Sequence, residues 1–174
     1  GKFNQTGTGN IYIGYQAGMG AFENSHSGNV GIGYYALRVV TTALNTIAIG
    51  QYAGDSITSG GNHVIIGNAA GATMTTTTNT ILIGTNAGTA INHTDANGTI
   101  AIGYEAGKAI THGLKNMAIG HQALYTATAN DYNTAIGYTA LYSISGSDGE
   151  EGEANTALGY RAGYSTTTGF YNTF

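Results

Sequence analysis

The chain has no cysteine, no proline and no tryptophan, and only 8% of its 174 residues are charged. Without cysteine there is neither a disulfide framework nor a thiolate metal site. Five Lys and Arg against nine Asp and Glu leave a formal net charge of −4, which argues against a phosphate-binding footprint and hence against nucleic acid as partner. No apolar run approaches the roughly 18 residues of a membrane-spanning helix, so no membrane insertion is expected. No Ser-His-Asp set and no recurring carboxylate pair can be assigned, so the chain reads as non-enzymatic and without a cofactor. It begins Gly-Lys-Phe, with neither an initiator Met nor a signal peptide, and is expected to be a piece of a longer fibre.

What the chain does have is 29 glycines, and nine of them mark an internal repeat. Gly14, Gly33, Gly50, Gly67, Gly84, Gly103, Gly120, Gly137 and Gly159 are spaced by 19, 17, 17, 17, 19, 17, 17 and 22 residues. A tenth repeat starts at Asn172. A fixed short period means one unit stacked on its own copies, so each position becomes a column.

Two columns alternate before the glycine. One before it stand Ile13, Ile32, Ile49, Ile66, Ile83, Ile102, Ile119, Ile136 and Leu158, and three before it Ile11, Val30, Ile47, Val64, Ile81, Ile100, Met117, Thr134 and Thr156. This β-branched alternation predicts a strand with the Ile face in a core. Three after the glycine every repeat has Ala, which predicts close approach of two backbones. Seven after it a second apolar column runs through Val40, Ile57, Met74, Ile91, Ile110 and Ile144. The expected fold is therefore all-β: a parallel β-solenoid, or β-roll, of about nine 17-residue coils with two short strands per coil. Residues 1–174 form one repeat domain in this reading. The insertions, Glu23 to Gly28, Asn92 to Asn97 and Ser145 to Ala154, fall on one edge, as loops of a solenoid should.

The column two before the glycine is Tyr12, Gly31, Ala48, Ile65, Leu82, Ala101, Ala118, Ala135 and Ala157. None is charged, and alternation sets it on the face opposite the Ile column. If the Ile face is inside, something must cover this one. The reading is that Ala48, Ile65, Leu82, Ala101, Ala118, Ala135 and Ala157 form a seam in a homotrimer, with a covering domain elsewhere in a longer chain as the alternative.

The motifs Asn133-Thr-Ala-Ile-Gly-Tyr-Thr-Ala-Leu141 and Asn155-Thr-Ala-Leu-Gly-Tyr-Arg-Ala-Gly163 resemble repeats of bacteriophage tail fibres. Asn45-Thr-Ile-Ala-Ile-Gly50 and Asn97-Gly-Thr-Ile-Ala-Ile-Gly103 are similar to head repeats of trimeric autotransporter adhesins. The resemblance spans nearly the whole chain. It implies a homotrimer of left-handed parallel β-rolls, extracellular or on a virion, serving as a rigid adhesive or spacer segment for host-cell attachment. Its receptor would be a cell-surface glycan or protein, with the insertions as the place to look for specificity.

Other patterns reduce to the repeat. Gly31-Ile-Gly33-Tyr-Tyr-Ala36 has the form of a dinucleotide fingerprint, but no helix pattern follows it. His26, His63, His93, His112 and His121 show no metal-ligand spacing; a trimer axis could bring copies of His121 together, yet a surface or interface role fits them better. The acidic run Asp148 to Glu153 lacks the alternation of a calcium loop and reads as solvated. Tyr15, Tyr34, Tyr104, Tyr138 and Tyr160, each following a landmark glycine, are expected to seal an interface rather than stack on sugars. Eight after the glycine stand Phe22, Thr41, Thr58, Thr75, Asn92, Thr111, Thr128, Ser145 and Thr167. The outward Thr41, Thr58, Thr75, Thr111, Thr128 and Thr167 are the candidate binding residues of an alternative function, an ice-binding solenoid. A pure spacer is the third reading.

Overall fold

The computed structural model describes residues 2–21, 24–145 and 151–174. It is an all-β parallel solenoid with nine three-residue strands: β1 (Ile11–Ile13), β2 (Val30–Ile32), β3 (Ile47–Ile49), β4 (Val64–Ile66), β5 (Ile81–Ile83), β6 (Ile100–Ile102), β7 (Met117–Ile119), β8 (Thr134–Ile136) and β9 (Thr156–Leu158). One 3-10 turn, Thr94–Ala96, lies in the second insertion. The strands pair in chain order, each parallel to the next, in one sheet. The register aligns the residues before successive landmark glycines, as in Ile13↔Ile32, Ile49↔Ile66 and Ile119↔Ile136. Insertions of two and five residues are therefore absorbed without shifting a column.

The landmark glycine is dictated twice over. At Gly50 φ is +134°, and a Cβ there would sit 2.5 Å from the carbonyl oxygen of Gly67 in the next repeat. Only glycine adopts that conformation freely and leaves that space. The chain then closes a tight turn, with the Ala53 N–H donating to the Gly50 carbonyl at 3.2 Å, while the Gly54 N–H reaches Ala70 in the next repeat at 3.0 Å. Ala36, Ala53, Ala70, Ala87, Ala106, Ala123 and Ala140 are fully buried, so the all-Ala column is where neighbouring turns press together.

Two expectations change. The first concerns the faces of the strand. The column containing Ala48, Ile65, Leu82, Ala101, Ala118, Ala135 and Ala157 is not an outer seam: every member is 0% exposed and belongs to the chain's own core, with Val40, Ile57, Met74, Ile91, Ile110 and Ile144. The Ile columns face outward instead, Ile11 and Ile13 being 54% and 59% exposed. Period-two alternation separates two faces but does not say which one is inside. The interior is narrow, and the smaller column fits it.

The second change is that each repeat carries one strand, not two. The far side is mostly turns and bends, joined between repeats by single parallel bridges, Ser27↔Leu44, Leu44↔Gly61 and Gly61↔Thr78. There a single carbonyl gathers several donors: the N–H groups of Thr41, Thr42 and Ala43 all donate to Thr58 O, at 2.9, 3.0 and 3.2 Å. Such convergence makes a corner, since a ladder gives each carbonyl one donor.

A buried polar column holds the strand starts in line. Four before the glycine stand Asn10, Asn29, Thr46, His63, Thr80, Thr99, Asn116, Asn133, Asn155 and, in the tenth repeat, Asn172. Asn29 Oδ1 accepts the Thr46 N–H at 2.9 Å, Asn116 Oδ1 the Asn133 N–H at 2.9 Å, and Asn133 Oδ1 the Asn155 N–H at 3.0 Å. Their amide groups donate across the solenoid, Asn29 to Ala43 O at 2.8 Å and Asn133 to Gly152 O at 2.8 Å. Each Asn thus pins a repeat both to its successor and to its own far side, which explains why buried amides are tolerated here.

Candidate functional site

Three surfaces are distinctive enough to carry function. The largest is the outward face of the sheet. Its two rows hold sixteen aliphatic or Met side chains and two threonines, Thr134 and Thr156, and no charge. Ile47, Ile66, Ile81 and Leu158 are 38%, 36%, 36% and 70% exposed. Nine strands at about 4.8 Å and three residues at about 3.3 Å give a planar footprint of about 400 Å². A single apolar patch of that size is at the scale that marks interaction surfaces.

The second surface is aromatic and has two rows. One after the landmark glycine, Tyr15 stacks on Tyr34 with ring centroids 5.3 Å apart. Further along, Tyr104, His121, Tyr138 and Tyr160 form a continuous stack at 5.1, 5.1 and 5.4 Å, with interplanar angles of 23°, 17° and 12°. Five after the glycine, Tyr125, Tyr142 and Tyr164 make a parallel stack at 5.0 and 5.1 Å. Each pair contributes about 0.5–1.5 kcal/mol beyond its burial. Stacking consumes the ring faces, so inside a row the edges and hydroxyls meet solvent. That geometry removes the face-on sugar platform and places His121 as one more ring of the stack.

A cleft of about 240 Å³ opens between these rows, lined by Gln122, Tyr138, Thr139, Tyr142, Tyr160, Arg161 and Tyr164. The second row, its three tyrosines in consecutive repeats, was not singled out from sequence. Aligning the position five after the glycine, where Tyr125, Tyr142 and Tyr164 fall, would have found it.

The third surface is the threonine edge. Thr41, Thr58, Thr75 and Thr111 stand in successive or near-successive repeats, but their hydroxyls donate to the chain's own carbonyls: Thr41 to Thr58 O at 2.7 Å, Thr58 to Thr75 O at 3.1 Å, Thr75 to Asn92 O at 3.4 Å, Thr111 to Thr128 O at 3.2 Å. The first four are half-buried, while Thr128 and Thr167 are exposed. The threonines therefore tie repeats together where a second ladder was expected. Phe22 of that column lies outside the described residues.

The insertions divide. In the first, Asn24 and His26 turn inward; the His26 ring is 0% exposed and its Nδ1 lies 2.9 Å from the Tyr12 hydroxyl. Glu23 lies outside the described residues. In the second, His93, Thr94 and Asp95 are exposed above buried Ala96, with His93 Nδ1 3.0 Å from the Asp95 carboxylate. In the third, residues 146–150 lie outside the described residues, and with them most of the acidic run. Gly152 is buried and accepts from Asn133.

Ionic groups are few and local. Arg38 bridges Asp55 through contacts of 2.9 and 3.0 Å and lies over the Tyr35 ring at 4.7 Å. Burial still pushes the Asp55 carboxyl above its usual range, against the pull of Arg38. Lys108 and Gln122 converge on Glu105 at 2.6 and 2.8 Å and hold its carboxyl below the usual range. Among the described residues no group of three His, Asp or Glu side chains could hold a metal ion, and no helix is long and apolar enough to cross a membrane. No family model, curated protein or solved structure matches the chain.

Proposed function

We propose that this chain is a structural, non-enzymatic rod in an extracellular or virion fibre, self-associating into a homotrimer and serving attachment to a host surface. The observation that carries it is the uncharged aliphatic face of the sheet. About 400 Å² of apolar surface at about 25 cal/mol/Å² offers about 10 kcal/mol per chain on burial. That is enough to offset the cost of ordering a few chains against one another. The resemblance of the repeat to tail-fibre and adhesin-head repeats supports three as the number of chains. Stacked parallel strands give the stiffness a fibre needs, and the exposed His93–Asp95 edge and tyrosine rows supply surfaces for a receptor.

Light scattering on a size-exclusion column tests this directly. The expected mass is three times 17.7 kDa, falling to a monomer when Ile66→Lys and Ile83→Lys place charges mid-wall. A wild-type monomer refutes the self-associating rod. The ice-binding reading draws on the register that sets Thr41, Thr58 and Thr75 one above another. It predicts thermal hysteresis that Thr75→Tyr abolishes, and absence of hysteresis removes it. A pure spacer is the reading left if the oligomer forms but no cell surface or glycan is bound.

A further inference from the structure

The second insertion brings two imidazoles together. His93 and His112 are 19 residues apart in the chain, a separation that matches no ligand pair on a single helix or strand. In a solenoid it is one turn, because both stand nine after a landmark glycine, Gly84 and Gly103. The same column holds Thr42, Ser59 and Thr76 in the three repeats before. Stacking therefore sets one ring beside the other, with centroids 4.8 Å apart and planes inclined by 42°. Both residues are exposed, so the pair is not core packing.

The hydrogen bonds place the ring protons. Thr111 Oγ1 donates its one hydrogen to Thr128 O at 3.2 Å and lies 2.8 Å from His112 Nδ1. A hydroxyl whose hydrogen is spent can only accept, so neutral His112 carries its proton on Nδ1. His93 Nδ1 lies 3.0 Å from the Asp95 carboxylate, which accepts and cannot donate when ionised. The Asp95 N–H approaches the same nitrogen at a longer 3.3 Å; the nearer, charged acceptor decides the tautomer. Neither Nε2 has a protein partner among the described residues. Each ring is thus anchored through Nδ1–H on an oxygen and keeps a free lone pair on Nε2. Metal-ligating histidines are held in this way, the bond at the second nitrogen fixing both tautomer and ring orientation.

The spacing of the rings fits one ion held by both. A metal–imidazole bond of about 2.0–2.1 Å puts the ring centroid about 3.2 Å from the metal. Two rings at the cis angles of a square-planar or tetrahedral site, about 90–109°, then have centroids about 4.5–5.2 Å apart. The observed 4.8 Å lies inside that interval. We propose that His93 and His112 bind a divalent first-row transition ion through their two Nε2 atoms. Imidazole suits Zn2+, Ni2+ and Cu2+, and the general order of affinities puts Cu2+ first. No third His, Asp or Glu side chain joins the pair among the described residues, so water completes the coordination and the site stays open. The ion clips the fifth repeat to the sixth across the second insertion. Both ligands come from one chain, so the site is independent of whether the chains associate.

Isothermal titration calorimetry of the whole chain, untagged and in a non-coordinating buffer at neutral pH, with Cu2+ as the probe, tests it. Electron paramagnetic resonance of the same complex counts the nitrogens on the ion. One Cu2+ should bind per chain, saturably, with hyperfine splitting from two imidazoles. Excess Mg2+, which takes oxygen ligands, should not compete. His93→Gln and His112→Gln should each weaken binding at least about tenfold and leave the splitting of one imidazole. His121→Gln, which removes another exposed ring, should change neither readout. His93 and His112 are both exposed, so their variants should keep the far-ultraviolet circular dichroism of the wild type, and a loss of binding is then a loss of ligands. No saturable binding, a single-imidazole spectrum in the wild type, or an affinity unchanged in the His93→Gln, His112→Gln double variant overturns the proposal.

Discussion

Acid should loosen this solenoid chiefly through His63. The side chain is 1% exposed and stands in the polar column between Thr46 and Thr80, its Nδ1 2.8 Å from the Thr80 hydroxyl. Burial pulls its pKa from 6.5 down to about 4, with the Thr77 carbonyl offsetting part of the effect. Between those values the unfolded chain binds a proton that the folded chain refuses. The stability that His63 allows is therefore complete above about pH 6.5, declines as pH falls, and is gone near pH 4. A depression of that size corresponds to about 3 kcal/mol over the whole window. His26, lowered first by burial, acts with the same sign.

The carboxylates act with signs of their own. Asp55, raised by burial, takes its proton first in the folded state and gains stability as pH falls. Glu105, lowered by hydrogen bonds from Lys108 and Gln122, loses its contribution only below its ordinary value of 4.5. Urea melts followed by far-ultraviolet circular dichroism at about pH 7.5 and about pH 5, at one protein concentration, on wild type and His63→Thr side by side, therefore cancel the carboxylates and isolate His63. From His63 alone the wild type should lose about 2 kcal/mol across this interval. His63→Thr, which adopts the residue of both neighbouring repeats, should escape that loss. Equal acid losses in wild type and variant would refute the reasoning.

Gly50→Ala should cost several kcal/mol more than Gly159→Ala in the same melts. The two share φ values of +134° and +133°, but only Gly50 has a carbonyl 2.5 Å from the new Cβ; equal costs would show that backbone conformation alone selects the glycine. Asn133→Ala removes hydrogen bonds to Gly152 O, from the Asn155 N–H and with the Asn155 amide, and should cost about 2–4 kcal/mol. Asn133→Asp should cost more at neutral pH than near pH 4, where the new carboxyl is protonated; a pH-independent loss would contradict a buried ladder. Gly88→Leu should destabilise by about 2–3 kcal/mol through overpacking, because its Cβ would lie 2.8 Å from Leu82 and 2.9 Å from Ile91. Adding Leu82→Ala should recover most of that loss, whereas simple additivity would sink the volume coupling behind it.

Much of the fold was legible because stacking turns local needs into columns. The landmark glycine, the all-Ala turn and the apolar position seven later are each fixed by a contact to the neighbouring repeat, so each recurs. The polar column four before the glycine was less visible because Asn, Thr and His can all fill it with different bonds. The second strand was misread because Thr-x-Thr suits a strand and a corner alike. In the fold the threonine hydroxyls supplement the backbone donors that meet at a single carbonyl. The cleft depends on two columns four residues apart meeting across a turn with left-handed backbone. No one-dimensional period states that proximity.

The face of the strand could have been decided from sequence by reading two columns jointly. Four after the landmark glycine the backbone is left-handed in every repeat, and six repeats use Gly there while Leu37, Leu124 and Leu141 take φ of 52°, 50° and 48°. Those leucines are fully buried, and each shares its repeat with a small residue two before the glycine: Gly31, Ala118 or Ala135. Where that position is large, as at Tyr12, Ile65 and Leu82, the partner is Gly18, Gly71 or Gly88. A Cβ at Gly18 would fall within 2.4 Å of the Tyr12 ring. Volumes trade off only between side chains that compete for one space. The small column is therefore the inside column, the strained leucines are tolerated because they fill what Gly31, Ala118 and Ala135 leave empty, and the Ile rows have nowhere to go but outward. An outward row of isoleucine repeated along the whole rod gains free energy on being covered, which is the physical ground on which we propose another copy of this chain upon it.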